Sequence, residues 1–347
     1  MDPTSSKKNV TIHDVAALTG VSYQTVSRVI NGMPQVSPAT RARIESVLSE
    51  VGFRPNRTAR QLAGKRSTTV GLVTFATSFY GPSQILVNSE QAAKELGFSL
   101  MFSGIVEPNT RAICRAVDEL CGHHVCGILI HLPWDIDLRD LQAICRDVPL
   151  VAVDSQLGFD CPSVFIRQEL GSRRATRHLL QLGHKKIAYI RGPVFWRTAQ
   201  LRYTGWQKEI KDAGLVPGPV VDGDWTAGSG FDAAKTLIAK HHGKFTAIVS
   251  ANDQMALGAV LALEEHSIRV PQDVSMIGFD DIPEAGFFRP PLSTVKQDFA
   301  ALGRLSIQHL MAKINPGSSI LPGRFIQPFV IERRSSTTWV KANNATR

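Results

Sequence analysis

From Ser67 onward the chain alternates short apolar, β-rich runs with helical stretches, and this alternation restricts the fold more than any other feature. The strand candidates are Thr69–Ala76, Phe98–Ser103, Cys126–His131, Leu150–Asp154, Lys186–Arg191, Thr246–Ala251 and Val274–Asp280. Between and after them lie helical stretches at Ser83–Leu96, Thr110–Cys121, Glu169–Leu182, Thr198–Ala213, Gly230–His241, Asn252–His266 and Phe299–Ile314. Parallel strands need crossovers of a dozen or more residues, which helices supply, so the expected fold is α/β with doubly wound parallel sheets. Seven strand candidates are too many for one compact unit, so two lobes are expected. Neither G-x-G-x-x-G nor G-x-x-x-x-G-K-[ST] occurs, which argues against nucleotide chemistry.

Composition narrows the class. At 43% apolar and 20% charged over 347 residues, the chain is neither disordered, collagen-like nor a disulfide scaffold. Its length allows two to three domains at roughly 150 residues each. Val70–Ala76 and Gly127–Leu132 are strand-sized, and no apolar run reaches the roughly 18 residues a membrane helix needs. The opening MDPTSSKKNVTIHD lacks the apolar core of a secretory signal, so a cytoplasmic protein without a membrane partner is expected. The five cysteines (Cys114, Cys121, Cys126, Cys145, Cys161) form no C-x-x-C pair. With His123 and His124 among them a metal site can be drawn, but core thiols are the better reading. No metal and no cofactor is expected.

The net charge of +9 is unevenly placed. Residues 1–66 carry ten Lys/Arg (Lys7, Lys8, Arg28, Arg41, Arg43, Arg54, Arg57, Arg60, Lys65, Arg66) against four Asp/Glu (Asp2, Asp14, Glu45, Glu50). A compact basic head on a near-neutral body calls for a polyanion. Residues 11–52 read as three short helices. Thr11-x-x-Asp14 is a capping box, opening a helix with Ile12, Val15, Ala16 and Leu18 inward, which Gly20-Val21 breaks. Ser22 caps a second helix reaching about Asn31, with Val26, Val29 and Ile30 inward and Tyr23, Gln24, Ser27 and Arg28 on the opposite face. Ser37-Pro38 opens a third with Ile44, Val47 and Leu48 inside, and Gly52 closes it.

Helix, short Gly-containing turn, helix is the helix-turn-helix pattern, whose second helix must offer polar side chains to major-groove base edges. Gln24 suits an adenine edge and Arg28 a guanine edge, with Tyr23 beside them; Thr11, Ser22, Thr25 and Asn31 suit phosphates. Any small bundle has an exposed polar face, so the concentrated charge and the next segment carry the reading. That segment, Arg54–Gly64, can form a short helix capped by Asn56, carrying Arg57 and a single large apolar residue, Leu62. It reads either as a solvated linker or as a hinge helix that orders on DNA and wedges Leu62 into a minor-groove step.

In doubly wound sheets, ligands sit at the carboxyl ends of strands. There the chain places Asp154, Asn252-Asp253-Gln254 and Asp280-Asp281, with Arg202 early in a helix and Trp225 after Gly223-Asp224. Each alone is ordinary, since Asp and Asn cap helices and Trp fills cores. Together they offer hydrogen bonds to hydroxyls and an aromatic face for a sugar's C–H side.

T-I-H-D-V-A-x-x-x-G-V-S-Y-Q-T-V-S-R-V-I-N (Thr11–Asn31) followed by P-N-R-x-A-R-Q-L-A-G-K (Pro55–Lys65) resembles the LacI/GalR family of bacterial repressors, and Tyr23-Gln24…Arg28 resembles its lactose-operon members. The resemblance continues through Gly81–Ile85, Ala199–Arg202, Gly223–Phe231, Ala251–Ala259, Gly278–Asp281 and Pro290–Phe299. It implies an all-α headpiece at 1–52, a hinge helix and linker at 53–66, and a two-lobed periplasmic-binding-protein-like core at 67–335. The lobes would comprise about 67–166 with 297–326 and about 167–296 with 327–335, followed by a polar tail at 336–347.

The resemblance implies a homodimer whose heads read a pseudo-palindromic operator, hinge helices in the minor groove, released by a galactoside inducer. Asp154, Arg202, Asn252 and Asp280 would bond the sugar and Trp225 would stack on it, with Gln254 beside them and Pro82, Ile85, Phe299 and Leu302 lining the apolar side. Two departures leave the inducer's identity open: Glu107-Pro108 stands where an arginine is expected, and Ile166 where an aromatic is expected. No leucine heptads follow the core, so a dimer is expected rather than a tetramer. Rival readings are a glycoside hydrolase using Asp154 and Asp280, a sugar-transport module, and a family member answering to a corepressor.

Overall fold

The computed structural model of the protein describes residues 10–53, 67–107, 109–134, 144–145, 148–155, 161–241, 243–315 and 325–339. They divide into two compact units between Ser67 and Thr68.

The first unit holds helices α1 (Ile12–Thr19), α2 (Tyr23–Ile30) and α3 (Pro38–Glu50). Each begins where a side chain satisfies orphan amides. The Thr11 hydroxyl accepts from Asp14 N at 3.3 Å while Thr11 N donates to the Asp14 carboxylate at 2.8 Å, a reciprocal capping box. Ser22 Oγ accepts from Thr25 N and Ser37 Oγ from Thr40 N, with Pro38 on the first turn of α3. Gly20, at φ 65°, ends α1 in the left-handed conformation that glycine adopts without strain. Val15, Ala16, Val26, Val29 and Ile44 are buried together. Leu18, expected inward, is 63% exposed, and Thr19 takes its place, donating its hydroxyl to Val15 O at 2.7 Å. The helical repeat running from Ile12 through Val15 and Ala16 reaches 19, not 18.

The second unit has two sheets. β1 (Thr69–Phe75), β2 (Ser99–Ile105), β3 (Ile128–His131), β4 (Leu150–Val153), β5 (Ser163–Ile166) and β11 (Phe325–Ile326) form the N-lobe sheet, order β11-β5-β4-β3-β1-β2, all parallel. β6 (Ile187–Arg191), β7 (Val220–Asp222), β8 (Ala247–Ser250) and β9 (Ser275–Ile277) form the parallel C-lobe sheet, order β7-β6-β8-β9. β10 (Thr294–Lys296) and β12 (Phe329–Ile331) pair antiparallel. Helices α4 (Tyr80–Glu95), α5 (Thr110–Gly122) and α10 (Phe299–Ile314) cover the N-lobe sheet; α6 (Gln168–Gln181), α7 (Arg197–Asp212), α8 (Ala227–His241) and α9 (Asp253–Glu265) belong to the C-lobe. β3, β4 and β8 are buried along their whole length, as strands covered on both faces must be. The chain passes between lobes three times, after β5, after β10 and after β11.

The seven expected strands are all present, each within a few residues of its expected bounds. β5, β7, β10, β11 and β12 were not anticipated; each is short, and unlike β3, β4, β8 and β9 none is buried along its whole length, so no fully apolar run marks it. Ser336–Trp339, expected to begin a polar tail, pack on the C-lobe instead. Ser336 Oγ pairs with Ser293 Oγ at 2.8 Å and His178 Nε2 at 2.9 Å, and Trp339 N donates to Leu182 O at 2.7 Å. The cysteines lie within or against the two N-lobe cores. No described helix is long and apolar enough to cross a membrane.

The tightest helix contact is between α8 and α9. A methyl on Gly258 would overlap the Ala227 carbonyl oxygen and one on Gly230 the Met255 carbonyl oxygen, so the pair approaches this closely because both positions lack a Cβ. Gly258→Ala is therefore expected to destabilise the core by about 1–3 kcal/mol in urea unfolding, without altering the headpiece, where nothing of α8 or α9 lies.

Candidate functional site

Two surfaces merit attention, one in each unit. In the first, the alternation of buried Val26 and Val29 turns the opposite face of α2 outward: Tyr23 is half exposed, and Gln24 and Arg28 are exposed. The Tyr23 ring rests 5.4 Å from that of His13 on α1. The residues read as phosphate contacts are engaged in shaping helix ends. The Thr11 hydroxyl donates to Asp14, Ser22 Oγ meets Thr25 Oγ1 at 3.0 Å, and Asn31 Nδ2 donates to Ser27 O at 2.6 Å. They hold the reading face in shape whatever else they touch. Asn56, Arg57 and Leu62, with the expected hinge helix, lie outside the described residues, as does Pro108.

In the second unit a cavity opens between the lobes. It lies at the carboxyl ends of strands from both sheets. Of the residues expected there, Pro82, Ile85, Asp154, Arg202, Trp225, Asn252, Asp280 and Phe299 line it. Gln254 and Leu302 do not. Gln254 accepts from Asn252 Nδ2 at 3.0 Å and so orients a wall residue. Leu302, one turn beyond Phe299 on α10, is fully buried in the N-lobe core beneath the wall.

Arg202 anchors the polar side. Its Nη1 lies 3.2 Å from Asp280 Oδ1 and donates to Ala251 O at 2.6 Å, and its Nε donates to Gln168 Oε1 at 2.9 Å. Its guanidinium carbon stands 3.8 Å from the centroid of the Phe279 ring and 5.6 Å from that of Trp225. Gln168 Nε2 donates to Gln297 Oε1 at 2.8 Å and to Asp154 at 3.1 Å; Gln297 Nε2 donates to Asp280 at 2.7 Å. Asp154, at φ 48°, also accepts from Ile166 N at 3.1 Å. Asn252 caps α9 through Met255 N and donates to Trp225 O at 2.9 Å, holding that residue at φ 79°. The Trp225 indole lies over Gly192, where any side chain would overlap it.

Burial pushes both Asp154 and Asp280 up to about 6, against the lowering pull of Arg202 on each. Burial and the carboxylates of Asp280, Asp281 and Asp253 push the Tyr80 phenol up to about 12, so it stays a hydroxyl donor. Burial lowers His131 to about 4, and this neutral ring pairs with Thr74 Oγ1 at 3.1 Å. Asp253, sealed under Thr294 Oγ1 and Ile282 N, is raised well above the usual carboxylate range. The wall thus combines carboxylates, a guanidinium and amides with aromatic faces, a set that suits a polyhydroxylated ligand. Among the described residues no group of three or more His, Cys, Asp or Glu can hold a metal.

Phe79, Tyr80, His131, Trp196, Thr198 and Gln297 also line the cavity and were not anticipated. His131 ends an expected strand, so the strand-end rule reaches it. Phe79, Tyr80, Trp196 and Thr198 lie in loops or first helical turns just before recognised motifs.

A buried acid raised toward 6 favours the fold when protonated, so its contribution is full below about pH 4 and is lost as pH rises through 6. Asp154→Asn cannot ionise. Urea titration of the unliganded chain is expected to show it more stable than wild type at pH 7.5, with the gap closing toward pH 4. An equal gap at both pH values would contradict the assignment.

Two family models match the chain: bacterial regulatory proteins of the lacI family over residues 11–56, and a periplasmic binding protein-like domain over 176–336. The chain is similar to the lactose operon repressor of Escherichia coli K12, 37% identical over 331 residues covering 95% of this chain and 91% of that one. It is similar to the ribose operon repressor of the same organism, 34% identical over 94% of this chain and 99% of that one. Among solved structures, the lac repressor dimer bound to operator and the anti-inducer ONPF superposes with a TM-score of 0.87 at 36% identity, covering 95% of this chain and 100% of the other. Sequence identity of this extent, carried over both units and matched by the fold, shows that the chain belongs to the lacI family of bacterial transcriptional regulators and is not an enzyme.

Proposed function

We propose that the chain is the repressor of a lac-type operon, binding a pseudo-palindromic operator as a homodimer and released by a galactoside. The observation that carries this reading is the joint lining of one inter-lobe cavity by Asp154, Arg202, Asn252, Asp280 and Trp225, in a chain whose other unit exposes Gln24 and Arg28 on one helix face. Gln24 and Arg28 read adenine and guanine edges in the major groove, Tyr23 packs beside them, and the amides at the start of α2 meet phosphate. Thr11, Ser22, Thr25 and Asn31 contribute to phosphate contacts from their capping positions. Residues 53–66 form the hinge, with Asn56 and Arg57 on the backbone and Leu62 wedged into the minor groove.

The sugar's hydroxyls bond Asp154, Arg202, Asn252 and Asp280, and its C–H face stacks on Trp225, with Pro82, Ile85 and Phe299 on the apolar side. Exposed Val87 and Leu96 at α4, Phe102 on β2, and Leu257 and Leu261 on α9 supply apolar faces for the second copy of the chain. Because the sugar favours one arrangement of the lobes and the operator another, each weakens the other by the same factor. Similarity to the ribose operon repressor keeps other sugars in play, and a corepressor would reverse the sign of the effect.

Fluorescence anisotropy on a lac-type palindrome tests this. Galactoside is expected to weaken operator binding, and operator to weaken galactoside binding equally. Operator affinity that no galactoside, hexose or pentose changes would sink the reading. Arg28→Ala is expected to cost about 1–3 kcal/mol on the cognate sequence and to relax preference at one base pair. Leu62→Ala should lose specific binding more than non-specific binding, since a wedge acts only in the bent complex.

A further inference from the structure

Aromatic side chains from both lobes meet along one wall of the cavity. Trp196, the residue before α7, is 5% exposed, and its ring meets that of Trp225 at 5.7 Å and 73°. Both indoles line the cavity, so they form two nearly perpendicular walls of one corner. The same Trp196 ring reaches across to the N-lobe, meeting Phe79 at 5.8 Å and Phe75 at 6.0 Å; Phe75 in turn meets Trp134 at 5.1 Å. The next residue adds a backbone tie between lobes, with Arg197 N donating to Pro133 O at 2.6 Å.

One side chain therefore serves two surfaces: it lines the cavity from the C-lobe and packs on the N-lobe rings of Phe79 and Phe75. A single pyranose or furanose ring fits a corner of this kind, with one face on Trp225 and an edge against Trp196. A substituent directed at this wall meets Trp196 and Phe79, and enters only if the clasp opens. Opening it breaks the two inter-lobe ring contacts, with Phe79 and Phe75, and exposes the Trp196 indole.

We propose that Trp196 determines the specificity of this site, acting as a second aromatic wall and an inter-lobe clasp that admits a single-ring sugar and excludes the same sugar carrying a bulky aryl aglycone. The inference rests on the sugar reading above and deepens it.

Calorimetric titration of the full chain with galactose, glucose and ribose, and with the 2-nitrophenyl β-glycoside of each, tests it. Wild type is expected to bind one free sugar at least tenfold more tightly than its aryl glycoside. Trp196→Ala should weaken the free sugar by roughly tenfold and strengthen the aryl glycoside, so that the preference disappears or reverses. Trp196→Phe, which keeps an aromatic wall, should retain most of the preference. Thermal unfolding accompanies each variant, and Trp196→Leu replaces the alanine variant if the latter is unfolded at the assay temperature. Wild type that binds aryl glycosides as tightly as free sugars, or a Trp196→Ala chain with the wild-type preference, overturns the clasp while leaving the sugar reading intact. A chain that binds none of the six compounds overturns both.

Discussion

The buried guanidinium of Arg202 is the constraint around which the core is arranged. A charge taken out of water survives only if it is paired and its donors are satisfied. Asp280 supplies the charge, Ala251 O and Gln168 Oε1 supply acceptors, and the face of Phe279 covers the remaining side. These partners come from different segments, so satisfying one side chain fixes several strand ends at once. Gln168 and Gln297 close the circuit, because each sits just beyond a strand where the chain crosses between lobes, and each spends its amide on the other or on Asp154 and Asp280. A ligand hydroxyl that bonds Asp154, Arg202 or Asp280 enters this circuit rather than a passive wall. The circuit thereby ties the cavity wall to the crossovers at Gln168 and Gln297.

The cavity walls divide by chemistry as well as by lobe. Arg202, Asn252 and Asp280 belong to the C-lobe, while Pro82, Ile85, Phe79 and Phe299 belong to the N-lobe. Hydrogen bonds to the C-lobe are directional and discriminate among hydroxyl arrangements; apolar contact with the N-lobe is tolerant of orientation and grows with area. Asp154 and neutral His131 are the polar exceptions on the N-lobe side. On the C-lobe side Trp225 and Trp196 add two aromatic faces beside the polar groups of Arg202, Asn252 and Asp280.

Much of this was legible in the order of residues. Long helices and strands of the core announce themselves by period and length, and the capping residues Thr11, Ser22, Ser37 and Asn252 sit where the hydrogen bonds place them. Short, partly exposed strands such as β7 and β11 carry no continuous apolar run, and they pair along one edge of a strand already in place. In the site, the residues that were legible are those whose polarity is conspicuous at a strand end. Trp196, Phe79 and Gln297 were not, because an indole, a benzyl group or an amide in a loop is equally at home in a core, and only the approach of a second lobe assigns it to a cavity. Leu302 was misassigned for the converse reason, since one helical turn separates a wall residue from one beneath it.

The headpiece places a further restriction on regulation. Its three helices are capped by their own residues and close over Val15, Ala16, Val26, Val29 and Ile44 without help from the second unit. The face bearing Tyr23, Gln24 and Arg28 is accordingly formed before DNA arrives. An effector can shift a binding equilibrium only through a difference in its affinity for two states. A preformed head offers no second state of its own, so on the reading proposed above the effector acts outside the headpiece. The hydrogen-bond circuit through Arg202 and the ring contacts of Trp196 both tie one lobe to the other at the same cavity.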